Sequence, residues 1–253
     1  MQFTDSHFHL IHVVSRGIDI NTIKLERGLD IGLSADDIYQ RIDLIKQVEN
    51  TYYAIGSGPW DAKDVNTNTT TAEAILKNAI EFKPVCIGEI GIDYYHEDYA
   101  KASDQIDLFI KQIEIANKLN LPISVHTRDS IQDVYKTLKE NKVIAGGIIH
   151  CYSGNTEEAK DFINLGFHLS YAANITYKKN TYLLDSLKIT PKDKLLLETD
   201  APYLAPQAFR GKTNTPSYVS YAYEKARDVL NIEIEELKEI VKNNFDNLFS
   251  IKN

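Results

Sequence analysis

The hydrophobic positions along the chain switch period repeatedly. Short continuous apolar runs alternate with longer stretches in which apolar residues recur every three or four positions. Strands buried on both faces read as continuous runs, and helices with one apolar face read at the longer period. The runs predict strands at residues 2–8, 28–34, 51–58, 84–91, 121–127, 144–154, 167–173 and 193–200. Between them, helical spacing predicts helices at 35–50, 71–82, 103–120, 129–141, 155–166 and 179–189. Ile38, Ile42, Ile45 and Val48 carry the pattern in the first of these, with Ser34 as its expected N-cap. Gly166 marks a helix stop. The tail, Ser217 to Phe249, reads as two helices broken near Asn231.

Eight strands alternating with helices, without a linker or repeat, predict an α/β fold: a single (β/α)8 TIM barrel over residues 1–253, with the C-terminal helices packed on it. The crossover from Ile11 to Arg27 is the least regular part. A doubly wound open sheet is the rival, and no G-x-G-x-x-G follows the first strand to support it.

Composition adds limits. The 253 residues are 43% hydrophobic and 25% charged, an ordinary globular balance long enough for a large core. Two cysteines exclude a disulfide framework and fit a reducing compartment. No apolar run reaches the roughly 20 residues of a membrane span. Met1 leads straight into the first strand, so a cytoplasmic protein without a membrane or obligate protein partner is expected. The net charge of −8 argues against a broad basic footprint for nucleic acid. It does not argue against an anionic substrate held through metal ions, since the cations then supply the positive field.

The candidate chemistry lies where the predicted strands end. The first ends in His7 and His9, two imidazoles on one side of a strand. That pair alone suits one metal ion or two ordinary polar residues. The fourth ends in Glu89, the fifth in His126, the sixth in His150 and the eighth in Asp200. All would gather at the C-terminal face of a barrel, where barrel enzymes build their sites. Four imidazoles and two carboxylates there are costly to desolvate without cations, and they suit two divalent ions with one bridging carboxylate.

These stretches, "DSHFHL", "IGEIGIDYY", "VHTRDS", "HCYSG", "LLLETDAPYLAP" and "RGKTNTP", stand in one order from Asp5 to Pro216, and "NNFDNLF" follows at residues 243–249. Together they resemble the TatD family of metal-dependent hydrolases in the amidohydrolase superfamily. The resemblance implies that His7, His9 and Asp200 hold one metal, that His126 and His150 hold another, and that Glu89 bridges the two. It implies a deoxyribonuclease, often exonucleolytic on single strands, using two divalent ions: Mg2+, with Mn2+ or Zn2+ as alternatives. DNA would then be the partner. Two positions depart from the family pattern. Gly58 stands where the family commonly has a histidine before proline, and Thr215 where it commonly has a glutamate. Neither is an expected ligand, so the departures bear on substrate contacts.

In this reading Asp200 is also the candidate general base. Arg128 and Arg210 are candidate phosphate contacts, and Lys212 lies beside the latter. Asp93, Tyr94 and Tyr95 follow the bridging glutamate, and Trp60 offers a face for a base to stack on. His12, His96 and His168 are read as non-ligands, Cys86 as a core residue, and Cys151 as turned away from the metals by strand alternation. Two further readings remain. One is a hydrolase of a small amide, lactone or phosphoester on the same site, because metals polarise carbonyl and phosphoryl oxygens alike. The other is a metal-binding protein without catalysis.

Overall fold

A computed structural model describes residues 2–96 and 98–252. Among these, eight parallel strands run in sheet order one to eight: β1 (Thr4–Phe8), β2 (Arg27–Asp30), β3 (Thr51–Ile55), β4 (Cys86–Asp93), β5 (Ile123–Arg128), β6 (Gly147–Ile149), β7 (His168–Tyr171) and β8 (Leu195–Leu197). Phe8 bridges Ala201, which brings the last strand back to the first. Around that seam, Asp200 N–H donates to His7 O at 2.9 Å and His9 N–H donates to Ala201 O at 2.8 Å. Asp5 is buried in the same seam and accepts from the Thr199 backbone and hydroxyl. The fold is therefore the expected (β/α)8 barrel. Parallel strands with helices on the outside bury both faces, which is why β4 is buried at all eight of its positions.

The helices are α1 (Leu10–Ser15), α2 (Ile38–Ile45), α3 (Val65–Phe82), α4 (Ala102–Leu119), α5 (Ile131–Glu140), α6 (Thr156–Asn164), α7 (Thr181–Ile189), α8 (Val219–Leu230) and α9 (Ile234–Leu248). In α4 the buried residues Gln105, Leu108, Phe109, Gln112, Ile113 and Ala116 form one stripe at helical spacing. Asn155 and Glu158 close a capping box at the start of α6, and Gly166 follows its end at φ +93°. Asn231, left-handed at φ 50°, separates α8 from α9 as expected.

Three local expectations fail. Ser34 does not cap α2; the chain makes a further turn and Asp37 takes the N-cap position, its carboxylate accepting from the Leu33 and Ser34 N–H groups. α3 begins at Val65 rather than 71, because Asp64 caps the polar stretch "NTNTT" by accepting from Asn66 and Thr67 N–H. β4 runs on to Asp93, so Glu89 sits in mid-strand rather than at its end. The irregular first crossover is the short α1 followed by a 3-10 turn at Ile20–Thr22. Among the described residues no helix is long and apolar enough to cross a membrane.

Candidate metal centre

The chain places His7, His9, Glu89, His126, His150 and Asp200 together at the C-terminal mouth of the barrel. Glu89 lies at the middle. Its Oε1 is 2.7 Å from His126 Nδ1 and 3.0 Å from His150 Nε2. Its Oε2 is 3.4 Å from His7 Nε2 and 3.6 Å from His9 Nε2. Asp200 Oδ1 closes the second side, 3.4 Å from His9 Nε2 and 3.8 Å from His7 Nε2. One carboxylate thus divides its two oxygens between two sets of donors. Glu89–His126–His150, His7–His9–Glu89 and His7–His150–Asp200 each bring three ligand atoms within 4.8 Å of one another.

Each imidazole is held by the nitrogen that does not face the centre. His126 Nε2–H donates to Asp93 Oδ2 at 2.9 Å, and His150 Nδ1–H donates to Glu198 Oε1 at 3.3 Å. His9 Nδ1–H donates to the Ile31 carbonyl at 3.2 Å, and His7 Nδ1 meets Ser124 Oγ at 3.3 Å. Metal-binding histidines are oriented in this way: the outer contact fixes ring and tautomer, leaving the inner nitrogen free to ligate. The donor set, nitrogen and carboxylate oxygen, fits Zn2+, Mn2+ or Mg2+-like ions.

The electrostatics follow from these contacts. Burial disfavours charge on Glu89, but the imidazole of His150 and hydrogen bonds from His126, His150 and His7 outweigh it and hold the carboxyl well below its usual range. Burial likewise opposes ionisation of Asp200, and His9, His150 and His7 outweigh it. On the imidazoles burial lowers proton affinity, yet Asp200 and Glu89 raise His9, Asp93 and Glu89 raise His126, and Glu89 and Glu198 raise His150 well above the ordinary value. Of the four central imidazoles only His7 is lowered, by burial and by its stacked neighbour His150 at a ring distance of 3.8 Å. A centre that attracts protons to its imidazoles through carboxylates will attract cations for the same reason, and metal entry releases those protons.

A cleft of about 740 Å³ opens above the centre, lined by His9, Glu89, His126, His150 and Asp200 and by Trp60, Asp93, His96, Tyr99, Arg128, Cys151, Asn174 and Tyr203. Arg128 reaches it with its guanidinium 3.7 Å from the centroid of the Tyr95 ring. Trp60 lies on its wall, edge-on to His126, with its indole N–H donating to Leu33 O at 2.8 Å. Gly58 accounts for this placement: a Cβ there would stand 2.1 Å from the indole, so the ring fills the space that a larger residue at 58 would need.

Other expected residues are placed differently. The Tyr94 hydroxyl donates to Asp133 at 2.7 Å and is not part of the cleft lining. Arg210 is also outside the lining, its guanidinium 4.5 Å over the Tyr177 ring. Asp93, expected as a substrate contact, lines the cleft and also accepts from His126 Nε2–H. Cys151, expected to face away, lines the cleft, because β6 ends at Ile149 and the chain turns at Cys151 with φ 43°, so strand alternation no longer applies. Burial and the nearby Asp200, Glu198 and Glu89 raise its thiol well above the ordinary value, which keeps it protonated. Of the histidines read as non-ligands, His12 meets the Tyr203 hydroxyl, His96 stacks on Tyr99 at the rim, and His168 lies in a separate pocket with Lys194 and Asn244. Glu198 does not stand out in the sequence. Its signal is a carboxylate two residues before Asp200 inside the apolar run "LLLETD".

Comparison with known proteins gives the family. The family model described as TatD related DNase matches residues 4–250. The uncharacterized metal-dependent hydrolase YabD of Bacillus subtilis is 37% identical over 229 residues, covering 90% of this chain and 89% of its own. The uncharacterized metal-dependent hydrolase YcfH of Escherichia coli is 36% identical over 210 residues, covering 83% and 77%. Among solved structures, the TatD homolog YJJV of Escherichia coli superposes with a TM-score of 0.85 at 24% identity, covering 99% of this chain and 98% of that one. An organophosphorus hydrolase from Deinococcus radiodurans shares the fold, with a TM-score of 0.69 at 14% identity over 98% and 92% of the two chains. With the match spanning its whole barrel, the chain belongs to the TatD-related DNase family and is a metal-dependent hydrolase.

Proposed function

We propose that the chain is a deoxyribonuclease that hydrolyses DNA phosphodiester bonds, acting on single strands and strand ends with two divalent ions. The observation that carries the reading is Glu89, whose two oxygens face two separate donor sets at 2.7–3.6 Å. In it, His7, His9 and Asp200 would hold one ion and His126 and His150 the other, with Glu89 shared between them. Mg2+ is the favoured metal, with Mn2+ and Zn2+ as alternatives. Divalent cations in such a centre supply Lewis-acid activation of water and neutralise charge on the phosphoryl group.

The protein's own groups do the rest. Asp200 borders the cleft with its side chain 14% exposed, is kept ionised by its neighbours, and accepts a proton from the attacking water. Asp93 and Glu198 keep His126 and His150 aimed inward. Arg128, stacked on Tyr95, offers a planar fork to a phosphate at the rim. Trp60 offers an aromatic face for an unstacked base, an interaction available only when the strand is single. The two free cysteines fit a cytoplasmic setting.

The test is cleavage of end-labelled single-stranded DNA in Mg2+ or Mn2+, with Asp200→Ala as control and duplex DNA in parallel. Metal-dependent release of nucleotides, absent in the control, supports the reading. Inactivity on DNA together with turnover of a small lactone, amide or phosphoester would replace it with the rival amidohydrolase reading.

A further inference from the structure

The loop after β2 is held from behind by a buried ion network. Arg41 on α2 is fully buried. Its Nη1 donates to Asp30 Oδ2, its Nε to Asp37 Oδ1 at 2.8 Å, and its Nη2 to the Ala54 carbonyl at 2.7 Å. The remaining oxygen of Asp30 accepts from Leu10 N–H at 2.7 Å. The remaining oxygen of Asp37 accepts from Leu33 N–H at 2.6 Å and Ser34 N–H at 3.2 Å. One guanidinium therefore ties together the end of β2, the loop behind it, β3 and the start of α1.

On its other side the same loop presents three successive carbonyls to the candidate centre. Ile31 O accepts from His9 Nδ1–H at 3.2 Å, Gly32 O from Glu89 N–H at 2.9 Å, and Leu33 O from the Trp60 indole at 2.8 Å. The backbone lies directly against the cation: a Cβ on Gly32 would stand 2.8 Å from Arg41 Nη2. A buried ion network is a weak source of net stability, because desolvation offsets the attraction. What a planar fork with fixed donor directions adds is geometry.

We propose that the Asp30–Arg41–Asp37 network is a positioning device for the metal centre: through residues 31–33 it sets where His9 and Glu89 present their ligand atoms and where Trp60 lies against His126. The proposal rests on the ligand assignment above.

Two readings on the full chain test it. One is calorimetric titration with Mn2+. The other is the emission of Trp60 in metal-free protein, a clean probe because it is the single tryptophan. The main variant is Asp37→Ala, which frees two loop N–H groups without stranding a fully buried charge. Arg41→Met is made together with Asp30→Asn, so that no carboxylate is left unpaired in the core, and is compared with Arg41→Lys. His9→Ala serves as the ligand reference. Asp37→Ala is expected to bind Mn2+ about tenfold more weakly, the scale of outer contacts on metal ligands. Its Trp60 emission should shift to the red while far-ultraviolet dichroism stays native. Arg41→Lys should recover part of the affinity that the double variant loses. Unchanged affinity and emission in a folded Asp37→Ala would overturn the proposal, since a purely structural network would lower the melting temperature alone. If His9→Ala loses Mn2+ and Asp37→Ala does not, positioning falls and the ligand assignment stands. If His9→Ala binds Mn2+ as well as wild type, both fall.

Discussion

The two ends of the barrel treat a buried imidazole in opposite ways. At the C-terminal mouth, His9, His126 and His150 each have an outer partner and a carboxylate facing the inner nitrogen, and all three have raised proton affinity. Near the other end, His168 is 8% exposed, its Nδ1 has no hydrogen-bond partner among the described residues, and burial together with Lys194 pushes it down to about 4. His168, like the imidazoles of the mouth, borders a pocket. Burial beside a cation therefore produces a neutral imidazole, and a cation site arises where carboxylates are brought to the same place and the rings are anchored from behind.

The largest expected effect separates the two carboxylates of the centre. Asp200→Asn keeps an oxygen for a metal but loses the base, so DNA hydrolysis should fall at least about a hundredfold with metal still bound. Glu89→Gln should instead lose metal, and its activity should fall in step and recover partly in excess Mn2+. Metal content and single-strand cleavage, followed across one metal titration, distinguish the two. Full rescue of Asp200→Asn by metal would reduce Asp200 to a ligand and remove the proposed base.

A smaller effect tests the anchoring itself. Glu198→Gln and Asp93→Asn leave all six inner donors in place and remove only the charge behind His150 or His126. Each should weaken Mn2+ binding by roughly tenfold, the lower end of the range for such outer contacts. Equal affinity in both variants and wild type would mean that inner geometry is sufficient and that the contrast with His168 lies elsewhere.

Much of this contrast was legible in the sequence, and the reasons for the misses are specific. Strands buried on both faces leave continuous apolar runs, so all eight could be found; their ends could not, because polar residues such as Glu89 continue inside β4 where a metal centre tolerates them. The six inner residues stand out as polar interruptions of those runs. Their supports do not. Arg41 and Asp37 sit in an ordinary amphipathic helix pattern, and only the fold shows that Arg41 is fully buried against Asp30. Glu198 is hidden by its more conspicuous neighbour Asp200. Strand alternation points Cys151 the wrong way, because the strand ends at Ile149 and alternation does not extend past it. Residues that touch through the fold rather than along the chain leave no periodic trace.

The smallest expected effect is on stability at acid pH, and it comes from the inert end. In the unfolded chain His168 takes a proton near its ordinary 6.5; in the folded protein it resists protonation until about 4. Between those values the unfolded state binds more protons, so stability rises with pH. The contribution of His168 is fully present above about 6.5 and is lost as pH falls towards 4. His168→Leu cannot take up that proton and should show a shallower acid decline. Between pH 7 and pH 5 the difference in decline should be on the order of 1 kcal/mol, measured by denaturant unfolding of metal-free protein so that proton release by metal does not enter. The raised imidazoles of the mouth titrate in both proteins and cancel in the comparison. Parallel acid declines in the two proteins would mean that His168 finds a partner for its proton in the folded state, and the opposition between the two ends of the barrel would then lose its inert member.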